Sequence, residues 1–354
     1  TTSNTPSRPE YDRSICGVLN GGGTKSKTAA AKPAATAASF EVNYPLGSFG
    51  RTTLPAATGP TAFIHASIWT CGPAGILEDA VMLIDNGRII AVGKDIPIPA
   101  DAQIVDLRGM HLTPGIIDCH SHFATDGGVN EGTQAVTSEV RVGDFVDAND
   151  ITIYRQLAGG VTAANILHGS ANPIGGQNQV VKLRWGMTGE GLKFTEAPAG
   201  IKFALGENVK QSNRTEGGGR YPNTRMGVEQ VFRDAFEAAR DYQNRHDTYG
   251  RNRRGLPPRR DLELEALAEV VYGKRWIHCH SYRQDEILAL LEILQEYKIR
   301  IGTLQHILEG YKVADELARH GAMASAFSDW WAYKFEVYDA IPYAGALMHN
   351  QGVV

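Results

Sequence analysis

The pattern of apolar and polar positions divides the chain into three stretches. Residues 1–60 are rich in Thr, Ala, Ser, Gly and Pro, a composition typical of a flexible extension or linker that has little to bury. Residues 61–112 hold short β-rich runs, and an Asp-Asn-Gly sequence at 85–87 is a hairpin signal between two of them. We therefore expect a small antiparallel sheet region that ends near Leu112.

Residues 113–354 alternate between short apolar strand patterns and amphipathic helix patterns. The predicted strands are, in chain order, GIIDCHSHF, VTAANIL, VVKLRWG, GIKFALGEN, RWIHCH, RIGTLQH and AMASAFSDWW. The predicted helices are ITIYRQLAGG, RMGVEQVFRDAFEAARDYQNRH, LELEALAEVVYG, DEILALLEILQEY and GYKVADELARHG. Repeated βα units predict an α/β fold with a parallel sheet and helical cover, and their number favours a barrel over a short open sheet.

Composition and charge narrow the range of partners. The 354 residues are enough for one large domain and a smaller one, and a net charge of −4 favours neither nucleic acid nor a membrane surface as a partner. No apolar run approaches the roughly 20 residues that span a bilayer. No signal-peptide pattern is present, but the chain does not begin with Met. The compartment therefore stays open between the cytoplasm and, after signal removal, the periplasm or exterior.

The strongest chemical signal is the sequence His120-Ser121-His122 at the end of the predicted strand GIIDCHSHF. Alternate residues of a strand face the same side, so Asp118, His120 and His122 should point into the barrel together. Active sites of such barrels lie at the C-terminal ends of the strands. Two imidazoles that converge from one strand suit a divalent metal ion. The alternative, two partly exposed loop histidines, fits the preceding apolar run less well.

Histidines recur at the ends of two later predicted strands. His278 and His280 share one face at the end of RWIHCH, and His306 ends RIGTLQH one strand–helix–strand unit later. One such residue is more often a satisfied structural histidine than a ligand, but core packing does not readily explain histidine at three strand ends. Strand alternation then predicts that Cys119 and Cys279 point outward against helices.

These histidines predict a centre for zinc or another divalent ion. Such an ion lowers the pKa of bound water from about 15.7 to about 7, which makes hydroxide available at neutral pH, and it polarises a scissile carbonyl. A carboxylate is needed to take and return the proton.

Five segments together resemble the amidohydrolase superfamily, in its imidazolonepropionase-like branch. They are PGIIDCHSH, LAGGVTAANILHGSANPIGGQ, GIKFALGENVK, HCHSYRQDEI and LQHILEGYK, and the resemblance runs from about Thr61 to Val354. It implies a TIM-like barrel beside a small β-sandwich. Residues 61–112 would form the N-terminal part of the sandwich, and residues 113–354 would form the metal-binding barrel.

The resemblance also implies a ligand set. In that superfamily the first strand supplies H-x-H, the fifth and sixth strands supply one histidine each, and the eighth supplies an aspartate. By this pattern His120 and His122 are the first pair and His306 is the ligand of the sixth strand. On the fifth strand His278 is the better match, and His280 is its rival.

Lys202 in GIKFALGEN resembles the carboxylated lysine that bridges two ions in some members of the superfamily. The alternative is a lysine that caps a strand in solvent, but its place within an apolar run favours the bridging role. Glu207 is a rival ligand, since some relatives use a glutamate. The resemblance therefore implies one or two divalent ions per chain.

The chain departs from the superfamily pattern at HNQGVV, where the eighth strand should be starting. The expected aspartate, which is both ligand and proton shuttle, is absent, as are the returning strands of the sandwich. Asp329 lies on the expected seventh strand and does not replace it. We therefore expect an incomplete TIM-type barrel with strands 1 to about 7, completed by a complementary C-terminal segment or in a homo-oligomer.

The function implied by the resemblance is metal-dependent hydrolysis of C–N bonds in a small amide, cyclic amide or peptide-like substrate. A dipeptidase-like site with two metals competes with a one-metal deaminase or imidazolone hydrolase, and carboxylation of Lys202 would favour two metals. A different class of protein, a catalytically incomplete or non-enzymatic binding or scaffold barrel, is the alternative. We expect the chain alone to be a poor catalyst that a complementary segment restores.

Overall fold

The structure is a computed structural model, and it describes residues 59–125, 127–213, 219–327 and 334–354. The linker predicted at residues 1–60 lies almost entirely outside these ranges, as does Asp329. Within the described ranges, no helix is both long and apolar enough to cross a membrane.

The described residues form strands β1 to β13 and helices α1 to α7. The strands are β1 Thr61–Trp69, β2 Ile76–Asp85, β3 Arg88–Gly93, β4 Gln103–Asp106, β5 His111–Leu112, β6 Ile116–Ser121, β7 Val161–Ile166, β8 Ile174–Gln177, β9 Gln179–Lys182, β10 Gly200–Ala204, β11 Trp276–His280, β12 Ile301–Gln305 and β13 Met323–Ala324. The helices are α1 Ile151–Ala158, α2 Gly189–Leu192, α3 Arg225–Asn252, α4 Leu262–Val271, α5 Gln284–Tyr297, α6 Ala314–His320 and α7 Ala344–Asn350. Short 3₁₀ turns lie at Val142–Phe145, Gln211–Asn213, Glu309–Lys312 and Phe335–Val337.

The first sheet has the order β3-β2-β1-β4, and β5 also pairs with β1. Asn86 and Gly87 join β2 to β3 with φ of 48° and 71°, the left-handed backbone of a tight hairpin turn, which confirms the predicted hairpin. The expectation of an antiparallel sheet is wrong for two strands, because β4 and β5 lie parallel to β1. A crossover of the chain after β3 brings both strands back in the direction of β1.

Two further sheets carry the rest of the chain. One has the order β6-β7-β9 and the other has the order β13-β12-β11-β10-β8. The ladders from β10 to β13 are all parallel, as the repeated βα units predict. The predicted strand VVKLRWG instead forms β9, antiparallel to β7, and the antiparallel β8 was not predicted. In the parts of the chain that the structure describes, the fold is mixed α/β with three separate sheets and no closed barrel.

Two predicted helices have different limits in the structure. Helix α3 continues to Asn252, beyond the predicted end at His246. It ends where Arg253 adopts φ of 51° and donates its N–H to the Tyr249 carbonyl, a left-handed C-cap. The predicted helix GYKVADELARHG is divided into a 3₁₀ turn and α6.

Strand alternation in β10 and β11 separates a helix-facing side from a site-facing side. Phe203 is fully buried and stacks on Phe232 and Phe236 of α3, with ring centroids 5.5 and 6.1 Å apart. Cys279 is buried in the same core, as predicted, whereas Cys119 on β6 is exposed rather than packed against a helix. Lys202, His278 and His280 alternate with these residues and face the other side of the sheet.

Candidate metal centre

The register of the parallel ladder aligns chemical groups at the C-terminal ends of three strands. Lys202 of β10 is the Cα partner of His278, and Ala204 is the partner of His280. His280 is in turn the partner of Gln305 at the end of β12. Side chains of paired residues point to the same face of a sheet, so this face gathers a lysine, two histidines and a glutamine.

The rings of His120 and His122 meet edge to face at the end of β6. Their Nε2 atoms are 3.1 Å apart. The Nδ1 of His122 lies 2.9 Å from the Leu167 carbonyl, and the Nδ1 of His120 lies 3.0 Å from Oε1 of Gln305. Each Nδ1 must donate to its oxygen acceptor, so each neutral ring presents a lone pair on Nε2. Two lone pairs therefore face each other, an arrangement that a cation between them stabilises.

His280 and His306 lie next to this pair. The ring centroid of His306 lies 5.1 Å from that of His120 and 4.4 Å from that of His280. His280 is 2% exposed, and its Nε2 is buried without a hydrogen-bond partner among the described residues. A buried ring nitrogen without a partner is costly. The Nε2 of His280 is therefore suited to bind a metal ion.

His278 lies apart from this group, although the sequence favoured it over His280. Its Nδ1 is 3.2 Å from Nε2 of Gln305. A Cβ on Gly200 would lie only 2.8 Å from its Nε2, so the ring is directed toward the amino end of β10, two residues below Lys202. Gly200 leaves the space that this ring needs. The structure thus brings together His120, His122, His280 and His306, and directs His278 away from them.

Lys202 is 1% exposed and lies in the middle of the site. Burial, without a carboxylate to compensate, lowers the pKa of its amine to about 7. An amine with such a pKa is partly neutral at physiological pH and is therefore nucleophilic. This environment fits the predicted role of Lys202 better than a lysine that caps a strand in solvent.

The histidine rings are neutral at physiological pH. Burial, and after it the charge of Lys202, lower the pKa of His120 to about 3, of His306 to about 2 and of His278 to about 4. Burial and the neighbouring His306 also lower the pKa of His280. Neutral imidazole is the form that binds metal ions.

The loop after β10, which carries the rival ligand Glu207, is held by a buried ion-pair cluster. The Gly206 N–H donates to Glu286 over 2.6 Å, and the Glu207 N–H donates to Glu336 over 2.9 Å. Arg225 at the start of α3 contacts both carboxylates, at 2.6 and 3.2 Å. The cluster fixes the backbone of Glu207, while the carboxylate of Glu207 forms no hydrogen bond with any residue that the structure describes.

His168 shows what a structural histidine looks like in the same chain. It is 3% exposed, its Nε2 accepts the Glu131 N–H at 2.7 Å, and its Nδ1 lies 2.8 Å from the Gly169 carbonyl. Both ring nitrogens are thus satisfied by backbone groups. His280 differs from it in having an unpartnered nitrogen.

The arrangement fits a divalent ion, although it is not a completed coordination sphere. Over the described ranges, no three His, Cys, Asp or Glu side chains are drawn together closely enough to hold an ion. Two ligands bound to one tetrahedral ion at about 2.0–2.1 Å stand about 3.3 Å apart, and the Nε2 atoms of His120 and His122 are 3.1 Å apart. Imidazole nitrogen is a preferred ligand of zinc.

Two residues of the site, Gln305 and Ser325, were missed by the sequence reasoning. Gln305 immediately precedes His306, so strand alternation would place only one of the two in the site. His306 has φ of 38°, a left-handed backbone that is uncommon outside glycine. Gln305 lies on the site-facing side through its pairing with His280, and this kink after the strand brings His306 to the same side. No sequence pattern predicted the kink.

Similar known proteins were found by sequence and by structure, while no protein-family profile matches the chain. The chain is 30% identical to "Amidohydrolase tasK" of Hapsidospora irregularis over 342 residues, which cover 83% of this chain and 34% of that protein. It is 37% identical to the imidazolonepropionase of Vibrio cholerae over 67 residues, 19% of this chain and 15% of that protein. The chain thus spans about a third or less of the length of these curated relatives.

A solved structure resembles the chain over most of its length. The crystal structure of an amidohydrolase from Thermotoga maritima MSB8 superposes with a TM-score of 0.75 at 31% sequence identity. The match covers 83% of this chain and 76% of that one.

Proposed function

Because the chain belongs to the amidohydrolase superfamily, with an imidazolonepropionase-like relationship, we propose that it carries the metal centre of a hydrolase that cleaves C–N bonds. The substrate would be a small amide, cyclic amide or peptide-like molecule. The observation that carries the proposal is the pair of Nε2 lone pairs on His120 and His122, 3.1 Å apart, beside the buried rings of His280 and His306.

The proposed ligands are His120, His122, His280 and His306, with Lys202 among them. The choice of His280 over His278 is supported by the unpartnered Nε2 of His280. His278 has its Nδ1 engaged by an amide and its Nε2 directed toward Gly200. The test of this choice is a pair of variants, because His280→Ala should abolish binding of Zn²⁺ whereas His278→Ala should retain it. The reverse result would return the ligand role to His278.

When bound, a divalent ion supplies Lewis acidity, which polarises a carbonyl and acidifies water. The chain's own residues prepare the site for it by holding His120 and His122 in the tautomer that frees Nε2. Because Lys202, His280 and His306 are deeply buried, charges interact strongly on their side of the site. Glu207, whose backbone N–H is held by Glu336, is the carboxylate that we propose to exchange a proton with substrate.

The chemical state of Lys202 determines whether the proposed centre holds one metal ion or two. Its buried amine, with a pKa of about 7, is suited to react with carbon dioxide and become a carboxylated bridging ligand. A dipeptidase-like centre with two ions then follows. If Lys202 remains a free amine, the alternative is the one-metal chemistry of a deaminase or imidazolone hydrolase. Dependence of metal stoichiometry on bicarbonate separates the two cases.

We further propose that the fold is an incomplete TIM-type barrel beside a small β-sandwich, and that another segment covers strand β6. Among the described residues β6 pairs only with β7, and it exposes Ile116 and Ile117. An unpaired strand with an apolar flank is normally covered in proteins. The cover would be a complementary C-terminal segment or a second copy of the chain. Without it, the alternative of a non-enzymatic binding or scaffold protein gains support.

The test combines metal analysis with hydrolysis assays. Residues 1–354 are purified with Zn²⁺ or Co²⁺, and metal content is measured for the wild type and for His120→Asn, with the variant of the structural residue His168→Asn as a control. We expect stoichiometric metal in the wild type and its loss in His120→Asn. Dipeptides, N-acyl amino acids and cyclic amides are then assayed with and without a co-expressed downstream segment, which should raise the rate by about 10²–10⁴. A wild-type chain that binds no metal would overturn the proposal.

A further inference from the structure

We infer that Gln305 is a positioning residue that selects which histidine rings face the metal centre, by fixing the tautomers of His120 and His278 in opposite senses. The inference rests on the proposed metal site and deepens it. Gln305 is 1% exposed and contacts groups from β6, β11 and the segment after β13.

Ser325 fixes the orientation of the Gln305 amide. The Ser325 hydroxyl oxygen accepts the His306 N–H at 3.2 Å and donates its hydrogen to Oε1 of Gln305 at 2.9 Å. An amide accepts through its oxygen and donates through its nitrogen, so the hydrogen from Ser325 identifies the facing amide atom as Oε1. The Nε2 of Gln305 is then the donor, and its direction is set by the backbone of His306.

The oriented amide prepares His120 as a ligand. Oε1 of Gln305 accepts a hydrogen from Nδ1 of His120 at 3.0 Å. That contact places the ring proton on Nδ1 and leaves the lone pair on Nε2, the atom that faces His122 at 3.1 Å. Metal-binding histidines are regularly held by such a hydrogen bond on the other ring nitrogen, which fixes both tautomer and orientation.

The same amide also prevents His278 from acting as a ligand. Nε2 of Gln305 donates to Nδ1 of His278 at 3.2 Å, so the lone pair of Nδ1 is occupied and the ring proton lies on Nε2. His278 therefore has no free lone pair for an ion. One glutamine thus makes His120 a ligand and leaves the strand-β11 ligand position to His280.

Two substitutions separate the two contacts of the amide. Gln305→Leu removes both, whereas Gln305→Glu keeps an oxygen acceptor for His120 and loses the donor to His278. Gln230→Leu is the matched control, because Gln230 is exposed on α3 and, within the described ranges, bonds only to Asp234. Loss of an outer hydrogen-bond partner typically weakens metal binding by about 10–100-fold. We expect a loss of this size for Gln305→Leu, and less than about threefold for Gln305→Glu and the control.

Histidine ¹⁵N chemical shifts of the metal-free protein read the tautomers directly, and Zn²⁺ affinity is measured by competition with a chelator. We expect the wild type to show His120 protonated on Nδ1 and His278 protonated on Nε2. In Gln305→Glu, His120 should keep its tautomer and His278 should change. Unchanged tautomers and affinity in folded Gln305→Leu would overturn the inference. A wild type with these tautomers but no metal binding would overturn the proposed function and leave the role of Gln305 standing.

Discussion

The sheet of β10–β13 and the sheet of β1–β5 are both built from short strands with alternating apolar residues, but they differ in what covers them. Helices α3 to α5 pack on the sheet of β10–β13 and bury its outer face in the main core. Among the described residues, the sheet of β1–β5 has a small buried cluster of Ala66, Ile68 and Ala80, with partly buried apolar side chains packed against it. It exposes 64% of Ile89, 58% of Ile90 and 50% of Ile104.

The difference bears on the two halves of the candidate site. His280 ends β11 and His306 directly follows β12, and both strands are paired on each side, so packing holds the two rings. His120 and His122 stand at the end of β6, where Ile117 is 69% exposed and one edge of the strand pairs with no described residue. Exposed apolar patches of this kind mark interaction surfaces. One half of the site is therefore held by the core, whereas the other half lies on a strand with an exposed apolar flank.

Truncation of a core aromatic should have the largest effect on stability. Phe203→Ala removes a fully buried ring that stacks on Phe232, so we expect the free energy of unfolding to fall by about 3–5 kcal/mol. The matched change Ile117→Ala removes an exposed side chain and should cost no more than about 0.5 kcal/mol. Guanidinium unfolding followed by circular dichroism measures both. Similar losses in the two variants would mean that Ile117 is covered in solution and would remove the contrast.

Lys202→Met should stabilise the metal-free protein at pH 6. The pKa of Lys202 falls from 10.5 to about 7 on folding, so at pH 6 a protonated amine is buried in the native state. Its removal should raise the free energy of unfolding by on the order of 3 kcal/mol. Between pH 7 and 10.5 the folded wild type binds fewer protons than the unfolded chain, so its stability rises and the difference shrinks. Thermal melts with a chelator at pH 6 and pH 9 test this, and a variant less stable than the wild type at pH 6 would contradict it.

Glu263→Gln should have a smaller effect on the free energy of unfolding, in the region covered by helices. Burial, then the charges of Glu139 and Asp261, raise the pKa of Glu263 at the start of α4 to about 7. The ordinary value is 4.5, so stability is lost as pH rises from 4.5 to 7 and stays reduced above. After allowance for solvent, the variant should be about 1 kcal/mol more stable at pH 8 and unchanged at pH 4. Chemical unfolding at both pH values measures it, and an equal gain at both would show that ionisation is not the cause.

Much of the fold followed from local patterns in the sequence. The limits of β6, β7, β10, β11 and β12 lie within the predicted strands, and the Asn86-Gly87 turn is where the pattern placed it. These features depend on residues close together in the chain, such as alternating apolar side chains or two residues that tolerate positive φ. The parallel pairing of β4 and β5 with β1 depends on partners distant in sequence, so the local pattern did not predict it.

The candidate site divides in the same way. Period-two alternation determined that His120 and His122 share a face, and that Lys202, His278 and His280 lie on one side of their sheet. Alternation cannot distinguish His278 from His280, because both satisfy it equally. The tertiary structure separates them through the space above Gly200 and through the Gln305 amide, which lies on the site face because Gln305 pairs with His280. Sequence spacing determines which face a side chain occupies, whereas the packing of distant strands decides which nitrogen of each ring is free to bind.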